Sequence, residues 1–308
     1  MRLLVIRYGG FGDALQAASI LPQLAVSGYE ITWDASEHGE MVLRNDPHIH
    51  SILVTPTGSV PAQQLPEYWN ARCNGFHRVI NLCESVEEAT LWSPRRLQFF
   101  HEDEARRRLA YDHCYIEHIH KIAGTNGPFV QRFYPTLPEK SEAAQYRGSV
   151  MVVLGGSAEY KRLVHATRLA VALRLLNKRV ILAGGPREQD IARDIAALVP
   201  GVLDATEWDI RSTMAAAQVC DVVIGPETGV LNAVANEANR KVVVLSHSSP
   251  EQLTKHWENT VCVVPQVPCH PCHRLHETRK FCPRGPSGEY AACGESVGID
   301  VILDAMEA

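Results

Sequence analysis

Leu3-Leu4-Val5-Ile6-Arg7-Tyr8-Gly9-Gly10-Phe11-Gly12-Asp13-Ala14-Leu15 opens the chain with an apolar run, a glycine turn and the start of an amphipathic stretch that continues to Ser27. Four apolar residues between Arg2 and Arg7 have the length of a buried strand. They are too few for the apolar core of a signal peptide, so the N-terminus reads as a first strand. The pattern then repeats: a strand at Glu30 to Trp33, a helix near Glu37 to Arg44, and strands at Ser51 to Val54 and Arg78 to Leu82. Strands separated by helical stretches imply βαβ units and a parallel sheet.

Working outward, Pro135 to Gly148 mixes prolines with polar residues and has no strong periodicity, which suits a linker between residues 1–140 and 149–308. The alternation restarts beyond it. Val150 to Leu154 is a strand before Gly155-Gly156, Val164 to Leu176 a helix, Arg179 to Ala183 a strand before Gly184-Gly185, and Glu188 to Leu198 a helix. Val219 to Ile224 and Lys241 to Leu245 add buried strands around a helical Gly229 to Ala238. The expected fold is α/β, with two Rossmann-like, doubly wound domains whose strand C-termini face a cleft.

Composition narrows the function. A chain of 308 residues with 45% hydrophobic content is long enough for two cores. No apolar run approaches the roughly 20 residues of a membrane span, so a soluble, cytoplasmic protein without a transmembrane segment is expected. A net charge of −5 argues against a protein that coats nucleic acid, while a local basic patch stays compatible with a nucleic-acid acceptor.

The glycine loops carry the chemistry. Gly12 and Asp13 lie where a strand hands over to a helix, so backbone N–H groups and the positive end of a helix dipole face whatever occupies the turn. Asp13 reads either as a helix cap or as a general base that takes the proton of an acceptor hydroxyl. A dinucleotide site would want glycine at Leu15, so NAD binding fits only in part, with Asp34 at the end of the second strand as its ribose partner. In the second half Gly155, Gly156 and Ser157 precede Lys161, a surface lysine or a point charge for a diphosphate. Gly184 and Glu188 follow the next strand, with Glu188 either holding ribose hydroxyls or favouring the helix start. Glu227, Thr228, Gly229 and Asn232 follow a third.

These residues resemble the heptosyltransferase-like glycosyltransferases of family 9, which carry the GT-B fold. The likeness rests on Ile6 to Leu15, Gly155 to Arg162, Leu182 to Glu188, and Gly225 to Asn232 with Ser249-Pro250, in an order and spacing that cover nearly the whole chain. By this resemblance Asp13 is the general base, Lys161 meets the donor phosphates, Glu188 the donor ribose, and the Thr228-Gly229 backbone the diphosphate. Two positions depart from the family pattern. Its usual Asp-Thr-Gly is Glu227-Thr228-Gly229, and a histidine common shortly after the threonine stands as Asn232, which donates a hydrogen bond but carries no charge. The resemblance implies an inverting transfer, without a metal, from an ADP-heptose-like nucleotide-diphosphate sugar to a hydroxyl of a saccharide or lipopolysaccharide-type glycan. A glycosyltransferase acting on hydroxylated DNA bases, a non-catalytic nucleotide-sugar-binding module and an NAD-dependent oxidoreductase are the alternatives.

Cys269, Cys272, Cys282 and Cys293 form a C-x2-C-x9-C-x10-C arrangement in a segment rich in Gly, Pro and His. Four thiolates complete a tetrahedral structural zinc site, while disulfides or packed reduced thiols remain alternatives. His113 and Glu117, four apart, read as a polar helix face or a helical metal pair. Arg95-Arg96 and Arg106-Arg107-Arg108 are a solvated face or an anion contact, and Trp69 and Trp92 pack or stack on a sugar or base.

Overall fold

The computed structural model describes residues 1–83, 104–273, 282, 285, 287 and 290–308. The chain divides into two compact units, Met1–Tyr134 and Pro135–Ala308. Among the described residues no helix is long and apolar enough to cross a membrane.

In the first unit β1 (Arg2–Arg7), β2 (Glu30–Ala35), β3 (Ile49–Val54) and β4 (Arg78–Asn81) form a parallel sheet in the order β3-β2-β1-β4. Leu3 to Ile6 are fully buried, because a central parallel strand is covered on both faces. The amphipathic stretch expected from Asp13 to Ser27 is two helices, Phe11–Ala18 and Leu21–Val26, with Pro22 at the start of the second. Proline is favoured there and excluded from a helix interior, which explains the break.

The second unit carries β5 (Ser149–Val153), β6 (Arg179–Ala183), β7 (Val202–Asp204), β8 (Val222–Pro226), β9 (Arg240–Val244) and β10 (Thr260–Val263), all parallel, in the order β10-β9-β8-β5-β6-β7. Renumbered from β5, this is the doubly wound 3-2-1-4-5-6 order, whose switch point lies between β5 and β8. Each sheet face has its own apolar layer, one built around Val150, Val152, Leu169, Leu173 and Leu182, the other around Met151, Val153, Val223, Leu231 and Leu245.

The expected linker is not one. Residues Leu137–Ala143 are a helix, and it belongs to the second unit. Thr136 caps it, with Oγ1 accepting from Glu139 N at 3.3 Å, while the Glu139 carboxylate takes the Thr136 N–H at 2.6 Å. The same carboxylate is gripped by buried Arg211, Nε to Oε1 at 2.7 Å and Nη2 to Oε2 at 2.9 Å. That fork holds the Glu139 carboxyl at a pKa of about 2. The division between units therefore falls at Tyr134/Pro135, earlier than the expected 140/149.

Candidate functional site

In the second unit the three glycine loops meet at the switch point. β8 approaches β5 so closely that a Cβ on Gly225 would lie 2.6 Å from Val153 Cβ and 2.9 Å from its carbonyl oxygen. This draws the loops after the two strands together. A Cβ on Gly156 would come within 3.0 Å of Thr228 Cγ2 and 3.4 Å of Lys161 Cδ. On the other side, a Cβ on Gly155 would lie 2.6 Å from Glu188 Oε1. Glu188, Lys161 and Thr228 thus gather as a cradle directly over Gly155-Gly156, and a side chain at either glycine would collide with them.

Lys161 ends a short 3-10 turn, Glu159–Lys161, and its Nζ donates to the Glu227 carbonyl at 3.1 Å. Glu188 is buried and precedes the helix Gln189–Leu198, and its Oε2 accepts the Gly185 N–H at 2.8 Å. The helix-start role expected for Glu188 and a place at the cradle therefore coexist. Thr228 Oγ1 is buried, with no hydrogen-bond partner among the described residues. A buried hydroxyl left unpaired is uncommon, and it belongs to the residue whose methyl, Cγ2, packs on Gly156. Ser157 is exposed, and its carbonyl accepts from Arg187 Nη1 at 3.4 Å, so the β6 loop reaches across to the β5 loop.

Two residues expected at the donor have other engagements. The Glu227 carboxylate turns to the loop after β9. It accepts from Ser246 N at 3.0 Å, Ser246 Oγ at 2.5 Å, His247 N at 3.3 Å and Ser248 Oγ at 3.1 Å. Only its backbone carbonyl faces Lys161. Asn232 Nδ2 donates to the Thr228 carbonyl at 2.8 Å, which tightens the helix Gly229–Ala233 at its start.

The cysteine segment packs beside the same loops. Cys282 and Cys293 lie against Ala158, Tyr160 and Ala291, and His273 N donates to the His247 carbonyl at 2.9 Å. Burial, with nearby Glu227, Cys272 and Cys282, raises the Cys293 thiol to about 12. Among the described residues no three of Cys269, Cys272, Cys282 and Cys293 bring their sulfurs within 4.8 Å of one another, so the four do not form a tetrahedral shell as arranged.

In the first unit Asp13 lies in the first turn of Phe11–Ala18, next to Gly12. Its Oδ2 accepts the Gly10 N–H at 2.7 Å, and its Oδ1 pairs with Arg7 Nη2 at 3.3 Å. Gly9 has φ +126°, and a Cβ there would lie 2.7 Å from Asp13 Oδ2, so both the backbone and the carboxylate require glycine. Arg7 is buried and also donates to the Leu82 carbonyl, whereas the Asp13 side chain keeps 42% of its surface exposed. The turn thus fixes the direction of a carboxylate that still meets solvent. Asp13 is not the N-cap itself, which is Gly10, but the third helical residue, whose carboxylate takes the N-cap N–H and remains accessible.

Asp34 is fully buried. It accepts from Thr55 Oγ1 at 2.7 Å and Tyr8 Oη at 3.2 Å, and burial raises its pKa. It is therefore not presented to a ribose, which removes the residue on which the NAD reading leaned. Trp69 donates its indole N–H to Tyr8 Oη at 3.2 Å and is a core residue of this cluster rather than a stacking platform. His113 precedes the helix Tyr115–Ala123 and so does not form a helical pair with Glu117. Arg106 and Arg108 lie on the helix Glu104–Tyr111, while Arg95, Arg96 and Trp92 fall outside the described residues.

Sequence reasoning missed Arg7, Arg187 and the Ser246 to Ser248 loop. Arg7 carried a signal, an arginine closing an apolar strand, which needs a buried acceptor. The serines carried none, because their role depends on how β9 lies beside β8.

No family model and no curated protein sequence matches the chain. Solved structures do match. A glycosyl transferase family 9 protein from Veillonella parvula superposes with a TM-score of 0.72 at 14% identity, over 99% of this chain and 96% of that one. E. coli ADP-heptose LPS heptosyltransferase II gives a TM-score of 0.69 at 15% identity, over 100% and 98%. The fold is that of the family 9 glycosyltransferases. E. coli heptosyltransferase WaaC with ADP gives a TM-score of 0.60 at 14% identity, over 100% and 97%. The expected GT-B fold class, with two parallel-sheet α/β units, is therefore present. At these identities the likeness establishes the fold and leaves the chemistry to the residues.

Proposed function

We propose that this protein is a cytoplasmic, inverting glycosyltransferase that takes a nucleotide-diphosphate sugar, with an ADP-heptose-like donor favoured, and passes the sugar to a hydroxyl of a saccharide or lipopolysaccharide-type glycan. The observation that carries this reading is the convergence of Gly155-Gly156, Lys161, Glu188 and Thr228 at the β5/β8 switch point. Two glycines in succession let these side chains gather close over the backbone. Lys161 supplies one fixed positive charge, Thr228 Oγ1 an unpaired hydroxyl and Glu188 an acceptor for ribose hydroxyls, the set of groups that a nucleoside diphosphate requires.

In this reading negative charge grows on the leaving diphosphate as the glycosidic bond breaks. Lys161 and the N–H groups of Gly156 and Gly229 meet it where it develops. The acceptor oxygen attacks the anomeric carbon from the opposite face and loses its proton to Asp13, which the Gly10 N–H and Arg7 hold in one orientation. The protein's own cation and amides do the charge stabilisation, so the reaction is metal-independent.

The test is a panel of ADP-, GDP-, UDP- and CDP-sugars scored for binding and slow donor hydrolysis, repeated with Asp13→Asn. Binding is expected to survive, and turnover to fall by at least about tenfold, since a positioned acid–base group typically supplies 10²–10⁴-fold. Unchanged turnover removes Asp13 from the mechanism.

We also propose a structural zinc in the cysteine segment. Its support is the Cys-x-x-Cys spacing and the packing of Cys282 and Cys293 against the same residues, Ala158, Tyr160 and Ala291. It would require the sulfurs to draw closer than they stand. Metal analysis before and after a chelator should give about one zinc per chain, and a metal-free, fully folded protein would defeat the idea.

A further inference from the structure

The first unit contains a cavity of about 290 Å³ that the transfer reaction does not use. Asp46, His48, Pro128, Val130, Arg132 and Tyr134 help to line it. Asp46 and His48 lie between the helix Glu37–Leu43 and the first residue of β3, Ile49, at the N-terminal edge of the sheet. Asp13 follows the C-terminal end of parallel β1, so the cavity and the glycine turn sit at opposite edges of one sheet.

The polar end of this cavity is built rather than incidental. Asp46 is buried, and its Oδ1 accepts both the His48 backbone N–H at 2.9 Å and His48 Nδ1 at 2.8 Å. The carboxylate is thereby engaged, and it fixes the ring with a proton on Nδ1. The Tyr134 ring stands edge-on to His48 with centroids 6.1 Å apart, and the Tyr134 carbonyl accepts Asn45 Nδ2 at 3.0 Å, which pins the strand of chain that forms the wall. Arg132 is exposed and has no carboxylate within ion-pair distance among the described residues. Pro128 and Val130 supply an apolar wall.

An unpaired guanidinium, an oriented imidazole and a phenol beside an apolar wall match one kind of ligand. We propose that this cavity binds a monosaccharide-sized anion, a sugar ring bearing a phosphate or a carboxylate, at a site separate from the transfer chemistry. Arg132 takes the anionic group in a forked contact, and the C–H face of the ring lies on Pro128 and Val130. The volume stands at the lower end of the ~300–1,000 Å³ typical of small-molecule pockets, room for one ring with its substituent.

The inference does not depend on the proposed transferase activity, and its test reads binding alone. Glucose 6-phosphate and glucuronate are titrated into the full chain by calorimetry, with glucose as the neutral control, and the His48 ring resonances are followed by NMR. At least one of the two anions should bind more tightly than glucose and shift His48. Arg132→Gln and His48→Asn should each weaken that anion by about tenfold or more, the loss of one charge-assisted hydrogen bond. Lys161→Ala in the other unit should leave its affinity unchanged. The preferred anion tells phosphate from carboxylate. Equal affinity for glucose, insensitivity to Arg132→Gln, or loss of binding in Lys161→Ala overturns the proposal. Arg132 is exposed, so its substitution tests the contact without threatening the fold.

Discussion

Thr228 shows how a single atom separates stability from binding. Its Oγ1 is buried without a partner among the described residues, and such a group costs about 1–3 kcal/mol relative to a satisfied one. Thr228→Val keeps the shape and removes that oxygen. The variant should therefore unfold at the same denaturant midpoint or a higher one, while nucleotide-sugar affinity falls roughly three- to tenfold, the worth of one neutral hydrogen bond. A variant that loses stability, or that binds the donor unchanged, would show that the hydroxyl serves the fold and not a ligand. The glycines of this site were legible in the sequence, because glycine at the end of a strand is a local signal. The orphaned hydroxyl was not. Whether a threonine finds a partner depends on the loop that packs on it, and that loop begins some 70 residues earlier, at Gly155.

At the scale of elements, the helix Leu137–Ala143 is the clearest departure from the sequence reading. Its capping box, Thr136 with Glu139, was written in the sequence, but Pro135 precedes it and Pro138 lies inside it, and Leu137 is 81% exposed, so no apolar stripe announced a helix. What holds the element is Arg211 from another helix, and that partner has no local signal. The pairing has a pH signature. Unfolded, the Glu139 carboxyl titrates near its ordinary value, whereas folded it titrates at about 2, so its stabilisation is complete above the unfolded value and is lost as pH falls toward 2. The difference is worth roughly 3 kcal/mol by linkage. Glu139→Gln should lower stability at pH 7 by an amount of that order, and its deficit against the parent should shrink as denaturation is repeated from pH 5 down to pH 2. A deficit that stays constant across that range would mean the Arg211 fork contributes nothing that depends on charge.

At the scale of the whole molecule, two parallel sheets of four and six strands were legible as to class but not as to extent. β1, β5, β6, β8 and β9 announce themselves as apolar runs because their interiors are buried on both faces. β7 and β10 escaped because they are short edge strands with largely half-exposed residues, a pattern that a loop shares. The spatial order was equally hidden. Chain order lists strands as they are made, while the 3-2-1-4-5-6 arrangement follows from which strand each crossover returns beside. That order puts β5 next to β8, and with it the loops that carry Gly156 and Thr228.

Lys161 lends the cradle a further property. A lysine ammonium is ordinarily a roaming charge on a four-carbon stem, and stilling it on arrival of a ligand costs up to about 2 kcal/mol of rotamer freedom. Here the stem already lies along Gly156, and the ammonium is already bonded to the Glu227 carbonyl. That carbonyl in turn is steadied by a carboxylate tied to three consecutive residues of the β9 loop. The disorder is surrendered during folding, so in the proposed reaction an arriving diphosphate would meet a charge already in place and be recognised by preorganisation.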